Sequence, residues 1–168
     1  MKKIDTSKWK EFLIGDLFDI HPTKAYKKIN IELFEEDGAN PVIVNTGFNN
    51  GVGGYANLEC TEKAGTITFT DTAAKSTDSF FYQERDFIGY IDTREFNSLV
   101  CMFLASCLQT VVHKYPYNFG LFPDLLKEEK IKLPVIADGT PDWIYMGEYM
   151  RMRMESAKND LVNMQSAL

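Results

Sequence analysis

The sequence predicts an α+β (mixed α/β) protein: a globular body of mixed or antiparallel β-sheet with packed helices, followed by one long C-terminal helix. Three observations predict it. Thr66-Ile67-Thr68-Phe69-Thr70 alternates and is β-branched, as a strand with one buried face requires. After Asn97 the period changes, and Val100, Phe103, Leu104, Cys107, Leu108, Val111 and Val112 recur at helical spacing. Near the end, Trp143, Gly147, Met150, Met154, Ala157, Leu161, Met164 and Leu168 follow at alternating steps of four and three, the seam of a helix that packs along another helix.

The remaining elements follow in chain order. Trp9 to Ile20 reads as an N-terminal strand with Gly15-Asp16 as a turn or bulge, ended by His21-Pro22-Thr23-Lys24. A short helix is expected around Ile29 to Phe34. Asn40-Pro41 opens a strand at Val42-Ile43-Val44. Asn45 to Tyr55 holds four glycines and three asparagines around Phe48, which is loop chemistry. Asp71 to Ser79 reads as a small-polar loop. Two short strands, Phe80-Phe81-Tyr82 and Phe87 to Ile91, are split by Gln83-Glu84-Arg85-Asp86.

Asn97 or Ser98 caps the following helix, which is apolar on most sides and so packs into the body. Lys114 to Phe122 is an aromatic loop. Pro123 suits the first turn of a short helix through Lys130, and Ile131 to Val135 forms the last strand. Thr140 is the expected N-cap of the long helix, with Pro141 at its first position and Asp142 as a first-turn anion. The boundary divides the chain into a body at 1–140 and a helix at 141–168.

Bulk properties narrow the class. A chain of 168 residues supports one core of its own plus an appendage. No run approaches the roughly twenty apolar residues of a membrane span, and Met1-Lys2-Lys3-Ile4-Asp5 leads into no apolar signal segment. Cys60, Cys101 and Cys107 fit free thiols in a reducing cytoplasm. The net charge of −6 opposes phosphate binding in bulk, yet its distribution is uneven. Residues 1–30 carry seven lysines against four acids, Ile31 to Asn40 carries four acids and no base, and Cys101 to Gly120 carries one lysine and no acid.

The chemistry-bearing residues do not assemble a catalytic site. His21 and His113 have no cysteine or carboxylate at metal-ligand spacing, so no metal or other cofactor is expected. Gly51-Val52-Gly53-Gly54 lacks the lysine and hydroxyl that close a phosphate loop. Asp124 with Glu128-Glu129-Lys130 lies on one short helix, a solvated face rather than a nuclease centre. No segment resembles the aromatic motif that holds a flipped base for methyl transfer, and two histidines support no nucleophile–base–acid relay. Polar loops remain. Asparagine pairs with adenine through two hydrogen bonds, and lysine reaches guanine or phosphate. The candidates are Lys24, Tyr26, Lys27 and Lys28; Asn45, Thr46, Asn49 and Asn50; Lys75, Ser76 and Thr77; and Tyr115, Tyr117 and Asn118.

A set of ordered short motifs carries a family resemblance. Trp9-Lys10-x-Phe12 precedes Ile14-Gly15-Asp16-Leu17-Phe18-Asp19-Ile20, then come Asn49-Asn50-Gly51-Val52-x-Gly54-Tyr55 and Ile131-Lys132-Leu133-Pro134. Asp138-Gly139-x-Pro141-Asp142-Trp143, with Met146 and Tyr149-Met150, completes the series. This order resembles the target recognition domain of type I restriction–modification DNA specificity subunits. The resemblance implies a non-catalytic domain that reads double-stranded DNA and a long helix that pairs antiparallel with another and sets the gap between half-sites. It further implies methyltransferase partners and, in the full assembly, restriction subunits. Members carry two such domains and two helices, so one of each implies a homodimer or pairing with another half. Members also place an Arg or Lys where this chain has Asn118-Phe119-Gly120-Leu121, which implies affinity that depends on partner subunits. The alternative from another class is a protein-interaction module, an orphan or decoy half-subunit that docks on the methyltransferase without reading DNA.

Overall fold

The computed structural model describes residues 4–21, 30–44, 46–69, 80–83, 92–93, 98–112, 114–115 and 123–166. The chain opens with β1 (Lys10–Leu13), a single helical turn α1 (Ile14–Leu17) and β2 (Phe18–Asp19). A 3-10 turn at Asn30–Leu33 leads to β3 (Asn40–Ile43), and a second at Asn49–Gly51 leads to β4 (Val52–Ala56). Then follow β5 (Thr66–Phe69), β6 (Phe80–Gln83), β7 (Asp92–Thr93), α2 (Ser98–Val112), α3 (Pro123–Glu128), β8 (Lys130–Leu133) and α4 (Trp143–Ser166). The described strands form four antiparallel pairs: β1 with β8, β2 with β7, β3 with β4, and β5 with β6. The architecture is α+β with a long C-terminal helix, as the sequence indicates.

α2 organises the core because it is apolar on several sides. Its Val100, Cys101, Phe103, Leu104, Leu108 and Val111 are buried, and it packs against β5, β6, β8 and α4. Ile67 of β5, Ile131 and Leu133 of β8, and Met146 of α4 complete the same cluster. Phe103 ties three segments together: its ring lies 5.7 Å from Trp9 and 5.8 Å, edge-on, from Tyr149. A smaller satellite core of Val42 and Ala56, covered by Phe34 and Val44, sits under the β3–β4 pair.

Three local expectations are corrected. Gly15-Asp16 lies within a single helical turn and not at a bulge, so the stretch from Trp9 to Ile20 is two strands rather than one. The turn buries Ile14 and Leu17 three residues apart on one face, and Ile14 N donates to the Glu129 carbonyl at 2.9 Å. The glycine-rich segment is not all loop, since Val52–Ala56 is a strand. Its glycines make room for a close approach: a Cβ on Gly54 would stand 2.5 Å from the Phe34 ring. Gln83, expected in a loop, is the last residue of β6 and is buried.

The long helix also starts later than expected. Thr140 is held in a turn, its N–H and hydroxyl donating to Asp138 Oδ1 at 2.8 and 2.7 Å. Pro141 bridges to Val135 across that turn. The N-cap is Asp142, whose Oδ1 accepts from Tyr145 N at 2.9 Å, the bond to the third helical residue that a cap makes. The Val135–Pro141 bridge holds Thr140 and Pro141 in the turn, so the helix begins only at Trp143.

The helical seam divides in two. Trp143, Tyr149 and Met150 pack against the core of the chain itself, with Met146 fully buried. From Arg151 to Ser166 every residue except Arg153 is exposed, including Met154, Ala157, Leu161 and Met164. Leu168 lies outside the described residues. α4 is therefore anchored to the head by its first two turns and projects beyond it. Among the described residues no helix is long and apolar enough to cross a membrane.

Candidate nucleic-acid interface

The loop from Thr46 to Gly51 holds three of the candidate residues, Thr46, Asn49 and Asn50. Val44 N donates to the Gly51 carbonyl at 2.9 Å, closing its base. Phe48 N donates to Thr46 Oγ1 at 3.3 Å and Gly51 N to the Phe48 carbonyl at 2.9 Å, so the loop is bonded to itself. Asn49, Asn50 and Gly51 adopt φ of 49°, 53° and 79°, three left-handed residues in succession. For a residue with a Cβ this conformation costs about 1–2 kcal/mol, least for asparagine, whose short amide bonds locally. Asn49 Nδ2 makes such a bond, donating to the Val52 carbonyl at 3.0 Å.

The strained turn is held from below by Gln83. Gln83 is only 5% exposed, and its Nε2 donates to the Asn50 carbonyl at 2.9 Å and to Thr68 Oγ1 at 3.0 Å. Its Oε1 accepts from Asn50 Nδ2 at 3.4 Å, and Thr68 Oγ1 donates to the Phe81 carbonyl at 3.3 Å. A buried amide with both ends engaged fixes a backbone more firmly than a surface one. The polar chemistry of the loop is thus partly structural, while Phe48 at its tip is 70% exposed.

The fourth candidate loop begins from a comparable anchor. Glu129 accepts a bond from Lys114 Nζ at 2.5 Å and another from the Tyr115 hydroxyl. Burial alone would raise the Glu129 carboxyl, but the bonds from Lys114 and Tyr115 win and hold it below its ordinary range. Burial, and then the adjacent carboxylate, pushes the Tyr115 phenol up to about 12. Tyr115 is a post at the end of α2 as well as a candidate reader.

Of the sequence-derived candidates, the structure thus describes Thr46, Asn49, Asn50 and Tyr115. It brings the first three together in one loop and places Tyr115 at the end of α2. Lys24, Tyr26, Lys27, Lys28, Asn45, Lys75, Ser76, Thr77, Tyr117 and Asn118 lie outside the described residues. Sequence reasoning missed Gln83, because a glutamine followed by Glu-Arg-Asp after an apolar run has the signature of a loop start. It also passed over Phe48, since an aromatic among glycines and asparagines signals nothing before its exposure is known. His21, at the end of the first stretch, faces Glu62 at 3.2 Å. Beside the Thr46–Gly51 loop a cleft of about 390 Å³ opens between β6, α2 and α4, lined by Asn50, Phe80, Phe81, Met102, Ser106 and Met150.

Comparison with known proteins places this geometry. Residues 6–163 match the type I restriction modification DNA specificity domain, and the chain belongs to that family. It is 24% identical over 162 residues to S.BcgI, a type II restriction enzyme specificity subunit from Heyndrickxia coagulans, covering 93% of this chain and 46% of that protein. Its fold is similar to the type I restriction–modification S subunit of M. genitalium, with a TM-score of 0.59 at 18% identity over 96% of this chain and 44% of that one. The chain spans about half the length of the relatives it matches.

Proposed function

We propose that this chain is a non-catalytic, sequence-specific DNA-recognition half of a specificity subunit, directing methyltransferase and restriction partners to a target sequence in the cytoplasm. The observation that carries the reading is a family match that runs through one head and on into one projecting helix. The head, 1–140, presents polar loops to base edges, with Lys24, Lys27, Lys28 and Lys75 on phosphates. Tyr26, Asn45, Thr46, Asn49, Asn50, Ser76, Thr77, Tyr115, Tyr117 and Asn118 are the base-facing set. The C-terminal helix pairs with a second copy or another half through Met154, Ala157, Leu161, Met164 and Leu168. That pairing brings two heads to a split site, and it explains why Met154, Leu161 and Met164 are 49–68% exposed.

Binding selection on a randomised duplex pool tests the reading. Lys27→Glu should weaken binding to every sequence and flatten its salt dependence, as loss of a phosphate contact does. Asn49→Ala or Asn118→Ala should instead change which sequence is enriched. If neither asparagine variant alters preference, the loops are wrongly assigned. The net charge of −6 favours a second reading, a module that docks on the methyltransferase without reading DNA. A chain that holds the methyltransferase yet enriches no duplex would establish it.

A further inference from the structure

We propose that Phe48 is the apolar base contact of this domain, its ring entering a DNA groove between the polar residues of the loop tip. The inference rests on the DNA-recognition reading and adds to it a residue that none of the polar candidates supplies. Among the described residues that precede α4, Phe48 is the most exposed large apolar side chain, at 70%. A single exposed apolar residue is ordinary on a mobile or featureless surface. Phe48 stands instead on a tip built to keep its shape.

The tip is fixed by the left-handed run Asn49, Asn50, Gly51 and by the buried Gln83 amide that grips Asn50 from beneath. Backbone held in this conformation accumulates at functional sites, where surrounding structure sustains it. The same bonds occupy one donor of each asparagine amide, Asn49 Nδ2 on Val52 O and Asn50 Nδ2 on Gln83 Oε1, while both residues stay exposed beside the ring. The ring of Phe48 is the apolar group that the tip holds outward.

The tip carries no charge of its own, which removes an obstacle to DNA without adding an attraction. From Gly38 to Leu58 the chain has no charged side chain, although the whole carries −6. The carboxylate bonded onto this stretch, Glu35, is engaged by Asn57 N, and hydrogen-bonding neighbours flank the ring. Two features of duplex DNA accept such a ring. The thymine methyl group offers an apolar contact in the major groove. A flexible pyrimidine–purine step accepts an apolar wedge that partly unstacks it.

The test uses the full chain in complex with its methyltransferase subunit, as wild type and as Phe48→Ala. Each is taken through selection on randomised duplexes, and the wild-type consensus is then titrated with both. The variant should lose preference at one or two adjacent positions and bind the wild-type consensus about tenfold more weakly, while its melting temperature stays unchanged. Replacing thymine by uracil at those positions should reproduce the loss if the methyl group is the contact. A rise in 2-aminopurine fluorescence there, abolished by Phe48→Ala, identifies an unstacked step instead. Identical consensus and affinity for the two proteins would overturn the role of Phe48 alone. Loss of the methyltransferase by Phe48→Ala, with DNA preference intact, would make the ring a protein contact and overturn it too. A wild-type complex that enriches no sequence would overturn the DNA reading itself.

Discussion

Tyr115, at the end of α2, donates its phenolic hydrogen to Glu129, fourteen residues later and one residue before β8. Lys114 adds a second bond to the same carboxylate, so Lys114 and Tyr115 are both clipped to the residue that precedes β8. Charge-assisted bonds of this kind are stronger than neutral ones, although the exposure of Lys114 weakens its share.

Glu129→Gln should therefore destabilise the protein by about 1 kcal/mol at neutral pH. The Glu129 carboxyl is depressed in the folded state, so its contribution is present above the ordinary carboxylate range and lost as pH falls through the folded value. Urea melts of wild type and variant should converge on acidification. Tyr115 works in the opposite direction: its raised phenol contributes below the ordinary phenol range and the contribution disappears as pH rises through about 12. Ultraviolet titration should show one late phenolate that Tyr115→Phe removes.

Gln83→Leu should cost about 1–3 kcal/mol, because it removes the donor to the Asn50 carbonyl and to Thr68 from a buried position. Denaturant unfolding gives the stability change. The same variant should blur DNA preference in a selection assay, since the loop it supports loses its fixed shape. Unaltered preference in a destabilised variant would limit Gln83 to a packing role.

Gly38→Ala and Gly54→Ala separate two kinds of close approach. A Cβ at Gly38 would lie 2.4 Å from the Tyr55 backbone, which cannot step aside without breaking the β3–β4 pair. At Gly54 the obstacle is the Phe34 side chain, which has to swing off the satellite core it covers but leaves the backbone pairing in place. Thermal melts should place Gly38→Ala below Gly54→Ala, with a loss of about 1–3 kcal/mol for the former.

The two halves of α4 should respond differently to mutation. Met146→Ala creates a cavity at a fully buried position and should cost about 2–5 kcal/mol without changing the mass in solution. Leu161→Lys leaves the head's stability unchanged but should convert a paired species to single chains, measured by light scattering. Single chains in both wild type and Leu161→Lys would remove the helix-pairing reading.

Strongly patterned elements were legible in the sequence. β5, α2 and the run of α4 follow directly from alternation and helical spacing, and Pro123 marks the start of α3. β4 was hidden because glycines depress strand propensity, and only the Phe34 ring and Val44 explain their presence. The cap of α4 shifted from Thr140 to Asp142 because a nonlocal bridge, Val135 to Pro141, decides where the turn ends. The seam of α4 read as one surface, yet its first turns lie on α2, since spacing identifies an apolar face without saying what covers it. At the site, residue type pointed to the loops, but the division between supporting and outward-facing side chains needed coordinates.

β1 and β8 run side by side, with Lys10 opposite Leu133 and Leu13 opposite Lys130. The polypeptide thus enters the head on the very edge by which it departs for α4. A unit whose two ends meet can be excised and replaced without straining what flanks it. Any exchange of the head would have to carry the first turns of α4 with it, because Met146 belongs to the same core.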